Sequence, residues 1–303
     1  MKSHINKTNK RAAFTIVELL TVMSIIVILI GLLVPALNQV KRYAYEVKQK
    51  AQLKSIDTAV ELFNSEFDGY PDSVPFDADG VEFCGAMRLC EAVMGQDLQG
   101  VHPDTVFRSD GTDGISKILY PDANAVTLQA YRDNLSMRKG PYLPLESANA
   151  FSIRDIYNNP GPFLPRHFVL CDVFRRVTHR ITGKKIGMPI LYYKANTANT
   201  RHNVTNPDDP ENIYNYLDNQ SLLLLGKPWD QGSGTSGSPH RLAVENGQPG
   251  IRFYLNTKNE KVTTASRPYR ADTFILISAG YDGEYGTPDD ICNYEWKYRE
   301  LQQ

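Results

Sequence analysis

The chain has 303 residues, of which 42% are hydrophobic, and a formal net charge of −1 at pH 7. This balance argues against a nucleic-acid binder that works through bulk electrostatics, although it leaves a local basic patch open. Tyr (17), Gly (21) and Pro (18) are abundant, which is typical of a loop-rich exported β domain rather than a compact helical enzyme. The length accommodates one membrane helix and one or two modest folded units.

A polar leader, residues 1–13, precedes an apolar segment, residues 14–37. From Phe14 to Leu33 nearly every side chain is aliphatic, and a helix of that length crosses the hydrocarbon core of a bilayer. Glu18 is the exception. A carboxylate in hydrocarbon is costly, so Glu18 is a candidate functional residue whose partner would be a cation at the same depth. The basic residues of the leader predict a cytoplasmic N-terminus; they are Lys2, Lys7, Lys10 and Arg11.

Basic residues, the small residue Ala13, Phe14, a Glu four positions on and an aliphatic helix resemble the class III signal of type IV pilins and pseudopilins. Pro35 falls where those helices usually carry a proline. The resemblance implies that a prepilin peptidase cuts between Ala13 and Phe14 and methylates the new amine of Phe14. It also implies that Glu18 neutralises the Phe14 amine of an adjacent subunit. The family's usual residue before the cut is Gly, and Ala13 departs from it while keeping a small side chain.

Two other interpretations of this segment were weighed. A secretory signal has a shorter apolar core with small residues after it, whereas Ala12 and Ala13 come before the core. An uncleaved single-span anchor accounts for every feature of the segment except Glu18.

Residues 38–71 are predicted to continue the helix as an amphipathic segment. Pro35 is expected to kink the helix and not to end it, because the apolar pattern resumes at once. Gly69 and Pro71 predict its end, with Gly69 as the left-handed cap. At 1.5 Å per residue, a helix from residue 14 to residue 67 is about 80 Å long. The closing Phe-Asp-Gly-Tyr-Pro is similar to the helix end of G-type pseudopilins, the major subunits of type II secretion. The apolar positions of the amphipathic segment 38–71 are Val40, Ala44, Val47, Ala51, Ile56, Val60, Phe63 and Phe67.

The segment 72–219 is weakly patterned, and we interpret it as a large insertion of unknown role, since a G-type pseudopilin has far less chain there. A short helix is predicted at 82–94 and short strands at 168–170 and 189–193.

The segment 220–303 is predicted to be a C-terminal β region. It contains a strand or short helix at 221–225 and strands at 251–255 and 273–278. Trp229 resembles the Pro-Trp that precedes the sheet in G-type heads, although Lys227 and Asp230 depart from the usual flanking residues.

Three carboxylates, Asp282, Asp289 and Asp290, lie in a loop with three glycines and one proline between residues 277 and 291. Like charges held close together favour a cation, and hard oxygen ligands suit Ca²⁺. The spacing differs from that of an EF-hand. The stretch resembles the C-terminal calcium loop of G-type pseudopilins. That resemblance implies a structural Ca²⁺ held by the three Asp side chains and by the carbonyls of Leu276 and Ser278. A solvated acidic turn without metal is the alternative.

The cysteines form no CxxC pair, so no zinc knuckle is expected. Outside the cytoplasm, Cys84 with Cys90 is the predicted disulfide, and unpaired buried thiols are the alternative. The histidines lack metal-ligand spacing, and neither a GxSxG elbow nor a phosphate-binding loop occurs, so no enzyme is expected. The remaining cysteines are Cys171 and Cys292.

Together these features predict an α+β fold in which a long N-terminal transmembrane and amphipathic helix packs on a small antiparallel β-sheet head, as in pilins. The predicted function is a structural subunit of a type II secretion pseudopilus or a related type IV pilus-like filament. It would sit in the bacterial inner membrane with its head in the periplasm. Its partners would be related pilin subunits, the prepilin peptidase, the inner-membrane assembly platform and lipid. The alternatives are a minor type IV pilin for adhesion or DNA uptake and an uncleaved, membrane-anchored ligand-binding ectodomain.

Overall fold

The computed structural model describes residues 15–298 except 233 and 264, and the chain forms two units, 1–44 and 45–303. One helix, α1 (Ile16–Phe67), contributes to both and has 52 residues. Pro35 lies inside it, so the expectation that the proline does not end the helix is confirmed. The helix ends where predicted, but Asp68 (φ 55°) takes the left-handed conformation expected of Gly69. An Asp tolerates this region because its short polar side chain bonds locally.

In the second unit, one face of α1 is buried in the core of the unit. Leu53, Ile56 and Val60 follow the three-to-four-residue spacing of a helix face, and each is at most 2% exposed. Burial of such side chains stabilises by about 1.5–3 kcal/mol each. Two buried amides on the same face form hydrogen bonds with the chain around residue 172. Gln52 donates to the Cys171 carbonyl at 2.9 Å, and Gln49 accepts from the Val173 amide at 2.9 Å.

Six shorter α-helices follow α1 in the described part of the second unit. They are α2 (Gly85–Met94), α3 (Leu128–Met137), α4 (Leu145–Ala148), α5 (Ile153–Ile156), α6 (Gln220–Leu224) and α7 (Ile251–Thr257). The described strands are β1 (Ala150–Ser152), β2 (Phe168–Leu170), β3 (Val177–Thr178), β4 (Lys185–Ile186), β5 (Leu191–Lys194), β6 (Val244–Glu245), β7 (Gln248–Pro249), β8 (Phe274–Ser278) and β9 (Ile291–Cys292).

The largest described sheet has three antiparallel strands in the order β5-β8-β9. The register pairs Leu191 with Ile277 and Ser278 with Ile291. Every residue of β8 is buried, as expected of a central strand. The other strands form two-stranded antiparallel pairs, β1-β2, β3-β4 and β6-β7. Because β5 comes from 72–219 and β8 from 220–303, these two segments share one sheet within one unit. The mixture of helices and small antiparallel sheets agrees with the α+β prediction.

Of the six short elements predicted after α1, five are present: α2, β2, β5, β8 and, at 221–225, the helix α6. The other short elements were not predicted. The strand predicted at 251–255 is wrong, because this segment is helix α7. Gly250 (φ 72°) turns the chain immediately before it. Phe253, Tyr254 and Thr257 are then buried at helical spacing. A short apolar run cannot be assigned to helix or strand by periodicity alone, so tertiary packing decided the outcome here.

The predicted Cys84–Cys90 disulfide is also wrong, since all four cysteines are free. The two thiols are six residues apart at the start and within α2, and six residues advance a helix by about 240°, which places them on different faces. They pack accordingly into different core clusters. Burial raises the pKa of the Cys84 thiol to about 12, so it is an unreactive core residue.

Candidate functional site

The sequence placed functional residues in two regions, the start of α1 and the acidic loop after β8. Ala13 and Phe14, the predicted processing site, lie outside the described residues. Pro35 lies within the exposed part of α1.

Glu18 forms a reciprocal pair of hydrogen bonds with Thr15 at the start of α1. Its Oε2 accepts from the Thr15 amide at 2.9 Å and from the Thr15 hydroxyl at 2.8 Å. The Glu18 amide in turn donates to Thr15 Oγ1 at 3.2 Å. This arrangement is a capping box, which satisfies amides left without partners at a helix N-terminus. The Thr-x-x-Glu spacing of a capping box is visible in the sequence, but a capping role for Glu18 was not among the predictions.

The Glu18 carboxylate retains capacity for a second partner. Both bonds from Thr15 reach the same oxygen, and no residue among those described donates a hydrogen bond to Oε1. The side chain therefore caps its own helix and leaves one oxygen for a cation.

The surface of α1 that follows Glu18 is aliphatic and exposed. Sixteen large apolar side chains between Ile16 and Leu37 are each at least 43% exposed. The polar hydroxyls within this stretch bond to carbonyls of their own helix: Thr21 to Val17 and Glu18, and Ser24 to Leu20. Internal satisfaction of polar groups is what an apolar environment requires. Within the described residues α1 is the one helix long and apolar enough to cross a membrane.

The acidic loop connects β8 to β9, and its glycines set its shape. Gly280, Gly283 and Gly286 all have positive φ. Gly280 has an additional reason to lack a side chain, since a Cβ there would lie 2.1 Å from the Asp289 carbonyl oxygen. The loop therefore folds tightly back on itself, with Asp289 beside the turn that begins at Gly280.

Each of the three predicted carboxylate ligands bonds within this loop. Asp289 accepts from the Asp282 amide at 2.9 Å and from the Thr287 hydroxyl at 2.7 Å. Asp282 accepts from the Glu284 amide at 2.8 Å, and Asp290 accepts from the Gly286 amide at 2.7 Å. Amide donors of this kind stabilise carboxylates in a turn without a metal.

The same carboxylates also carry unfavourable charge interactions. Burial, with a contribution from the neighbouring Asp289, raises the pKa of Asp282 to about 6 against the effect of the Glu284 amide. Burial and the charges of Asp282 and Asp289 raise the pKa of Asp290 well above its usual range, although the Gly286 amide opposes them. One oxygen of Asp290, Oδ1, is buried without a hydrogen-bond partner. The donor chemistry of the loop thus suits a cation.

The arrangement of the side chains in the acidic loop is less suited to a cation than the chemical nature of their oxygen atoms. Among residues 15–298, with 233 and 264 set aside, no group of three His, Cys, Asp or Glu side chains is arranged to hold a metal ion. The Leu276 carbonyl, a predicted ligand, accepts from the Asn293 amide at 3.2 Å beside β9. Ser278 pairs with Ile291, and its hydroxyl donates to Asp172 at 3.1 Å. A calcium site here would use Asp290 Oδ1, which has no hydrogen-bond partner, and would require the other ligand oxygens to move toward the ion.

Two residues that anchor this loop were not found from the sequence. Asp172, fully buried, accepts from the amides of Phe174 at 3.1 Å and Met188 at 3.2 Å as well as from Ser278. Burial raises its pKa to about 7, against the effect of these hydrogen bonds. His240, also fully buried, accepts at Nδ1 from the Tyr285 amide at 3.3 Å. The bonds that tie them to the loop region, from Ser278 to Asp172 and from Tyr285 to His240, span 106 and 45 residues, so no local pattern marks them.

Two basic side chains near the surface form ion pairs with Glu284 of the acidic loop. Lys227 donates to Glu284 at 2.8 Å with both side chains about 20% exposed, and Arg241 lies 3.8 Å from the same carboxylate. Trp229 approaches Gly283 closely enough that a Cβ there would lie 2.8 Å from its ring. The turn that the sequence marked at Trp229 is a single 3₁₀ turn, Pro228–Asp230, packed against the acidic loop.

Comparison with protein-family models, with curated proteins and with solved structures found no match to this chain. The described residues define an α+β protein, and one of their helices, α1, is apolar and of membrane-spanning length.

Gly280 and Gly247 offer a matched test of the loop's tight packing. Both have positive φ, but a Cβ at Gly247 meets no atom within 4 Å. An alanine costs about 1–2 kcal/mol at either position for its backbone conformation. Gly280→Ala should lower the free energy of unfolding by about 1–3 kcal/mol more, as overpacking does. Chemical denaturation measures both variants, and equal losses would show that the loop is not packed against Gly280.

His240 makes the anchoring of the loop sensitive to acid. Burial and the charge of Lys227 lower its pKa to about 3, whereas the unfolded chain titrates near 6.5. The unfolded state therefore binds the extra proton, and stability is lost as the pH falls below about 6.5 toward 3, by up to about 1.4 kcal/mol per unit.

His240→Asn keeps an acceptor near the position of Nδ1 and cannot titrate. The free energy of unfolding of the native chain relative to this variant should therefore fall between pH 6.5 and pH 4 and stay constant from pH 7 to pH 8. Urea unfolding at each pH measures it. A difference that is independent of pH would contradict a buried neutral histidine.

Proposed function

We propose that the chain is a structural subunit of a membrane-assembled filament of the type IV pilin class, closest to the pseudopilins of type II secretion. The observation that carries this proposal is α1: an uninterrupted helix whose exposed surface is predominantly apolar between Ile16 and Leu37 and which has one carboxylate in its first turn. Cleavage between Ala13 and Phe14 would place the new amine one turn from Glu18. The protein would act without catalysis, in the bacterial inner membrane with its head in the periplasm.

The apolar surface supports assembly because its exposure to water is energetically unfavourable. Sixteen large aliphatic side chains are exposed between Ile16 and Leu37. At about 1.5–3 kcal/mol for each side chain, their transfer out of water is worth tens of kcal/mol. Lipid covers this surface before assembly, and other copies of α1 cover it in a filament. A head-to-tail interface between such helices repeats without closing, which generates a helical fibre.

Glu18 supports a defined register within that fibre. Its Oε1 is the oxygen that the capping box leaves for a cation, and the Phe14 amine of the adjacent subunit supplies one. In a medium of low dielectric constant an ion pair is far stronger than in water, and an unpaired carboxylate is correspondingly costly. Subunits out of register would leave both charges unpaired.

The capping box also favours a second candidate function, an uncleaved membrane-anchored ectodomain that binds a ligand. The anchor interpretation lacked a reason for Glu18, and a helix-capping role supplies one. The two functions differ in whether the charge of Glu18 is needed, since a neutral Gln caps a helix at this position as well.

Glu18→Gln should therefore insert normally and fail to assemble, because it keeps the capping box and loses the charge. Thr15→Ala is the matched control, since it weakens the cap and keeps the charge. In cells that carry a prepilin peptidase and assembly machinery, we expect the cross-linked multimer fraction to fall more than tenfold for Glu18→Gln and less than twofold for Thr15→Ala. The reverse order would favour the capping role and the anchor.

We further propose that the acidic loop binds a structural Ca²⁺ through Asp282, Asp289 and Asp290. The supporting observations are the partnerless Oδ1 of Asp290 and the mutual repulsion of the three carboxylates. A bound Ca²⁺ neutralises these charges and ties the loop to the end of β8. The Ser278 carbonyl would be an additional ligand, whereas the Leu276 carbonyl would have to release the Asn293 amide.

Ca²⁺ at a hundred times its dissociation constant should stabilise the full chain by about 2.7 kcal/mol relative to a chelator-treated sample. Asp290→Asn should unfold at the same or a higher temperature without calcium, because it removes a buried charge, and should gain nothing from the ion. Thermal unfolding with Ca²⁺, with Mg²⁺ and with chelator measures this. No calcium-dependent shift in the native chain would identify the loop as a turn without metal.

A further inference from the structure

A cavity of about 550 Å³ lies in the second unit, away from the loop and helix features used above. Its walls come from the chain after α1 (Asp72 and Ser73), from Lys194 at the end of β5, from residues 207–210 and 212–218 and from Tyr254 of α7. Pockets of this size accommodate a small organic molecule or one or two amino-acid side chains. A single metal ion would leave most of the volume unfilled.

The charge of the cavity wall is predominantly negative. Four of its residues are carboxylates, Asp72, Asp208, Asp209 and Asp218, and Lys194 is the one Lys or Arg among its described lining residues. Asp209 is already neutralised within the protein, since Arg201 lies 3.3 Å from its carboxylate. The other three carboxylates form no ion pair with a described residue.

Asp218 is the most informative of these groups because it is buried. Its residue is 4% exposed, and the Ser73 hydroxyl donates to its Oδ2. Burial raises its pKa, as does the charge of Asp72, while the Ser73 hydrogen bond and the more distant Arg88 oppose the shift. A buried carboxylate without a paired cation costs several kcal/mol. A ligand with a positive charge would therefore bind favourably here, because it would pair with this carboxylate.

Ser73 fixes the direction from which such a ligand approaches. Its Oγ accepts a hydrogen bond from the Lys194 amide at 2.9 Å, which leaves its own proton for Asp218 Oδ2. The second oxygen of Asp218, Oδ1, receives no hydrogen bond from any residue in the described part of the chain. Ser73 is therefore a positioning residue that presents this oxygen to the cavity.

Aromatic rings complete the wall beside the carboxylates. The rings of Tyr216 and Tyr254 pack edge to face with centroids 6.3 Å apart, and both residues line the cavity. The Tyr216 hydroxyl donates to Asp208 at 2.9 Å, which orients that carboxylate. Carboxylates beside tyrosine rings are surroundings that favour an organic cation, because aromatic rings attract positive charge.

We propose that this cavity binds an organic cation, an ammonium or guanidinium group, with Asp218 and Asp72 as its anionic partners and Tyr216 as its aromatic contact. The group belongs either to a free small amine or to a Lys or Arg side chain of a peptide. The binding does not depend on filament assembly, so a failure of one proposal leaves the other intact.

Isothermal titration of the full chain in detergent micelles tests this proposal. The probes are agmatine as a free guanidine, N-acetyl-lysine methylamide and an acetylated Arg-containing tripeptide amide as peptide cations, and glucose and N-acetylglutamate as neutral and anionic controls. We expect the cations to bind and the controls not to bind. The tighter of the free and peptide cations identifies the source of the group.

Three variants locate the site. Asp218→Asn preserves shape and removes charge, and Asp72→Asn does the same at an exposed position where folding is not at risk. Each should weaken cation binding at least tenfold, while Glu146→Gln, an exposed carboxylate outside the cavity, should leave it unchanged. Cation binding that is unaffected by Asp72→Asn and by a folded Asp218→Asn, tighter binding of glucose, or no cation binding at all would overturn the proposal.

Discussion

The aliphatic surface between Ile16 and Leu37 is unstable in water unless it is buried, and the described residues of the chain do not bury it. The same helix, α1, buries Leu53, Ile56 and Val60 in the core of the second unit, where α2 and β8 cover them. Its two parts therefore differ: one lies in an intramolecular core, and the other is exposed within the described chain. Under the proposed function, lipid or other subunits cover that exposed part. Tens of kcal/mol of apolar transfer make an aqueous monomer with this surface uncovered untenable. Every proposal about localisation and assembly follows from that requirement.

Glu18 shows how one carboxylate can serve local structure and assembly together. The bonds to Thr15 account for its position at the start of a helix, and they use one oxygen. A capping role alone would be met equally well by Gln, so the charge is what assembly would need. The acidic loop presents a related conflict, since amide donors already stabilise its carboxylates while Asp290 retains a buried oxygen without a partner. In both places the local structure is complete enough to fold and still leaves an oxygen available.

The sequence predicted elements whose signals are local. The apolar run and the amphipathic pattern after it predicted α1, and short apolar runs between turn residues predicted β2 and β8. It failed where distant contacts decide the outcome. Residues 251–255 form a helix because Phe253, Tyr254 and Thr257 pack into the core, and Cys84 and Cys90 stay apart because α2 turns them to different sides.

The candidate sites divide in the same way. Asp282, Asp289 and Asp290 lie close together in sequence and were visible as a group. The bond from Ser73 to Asp218 joins residues 145 positions apart, and that from Ser278 to Asp172 spans 106. No spacing rule brings such pairs together, because the topology of the whole unit determines their proximity. The cavity at Asp218 was accordingly invisible until the fold was known.

Processing at Phe14 is the central claim, and the mass of the N-terminal peptide of the protein tests it most directly. The measurement uses membranes of a cell that carries a prepilin peptidase, with peptides identified by mass spectrometry. The account predicts a peptide that begins at N-methylated Phe14. A chain that still begins at Met1 would contradict the filament proposal and favour an uncleaved anchor whose function lies in the second unit.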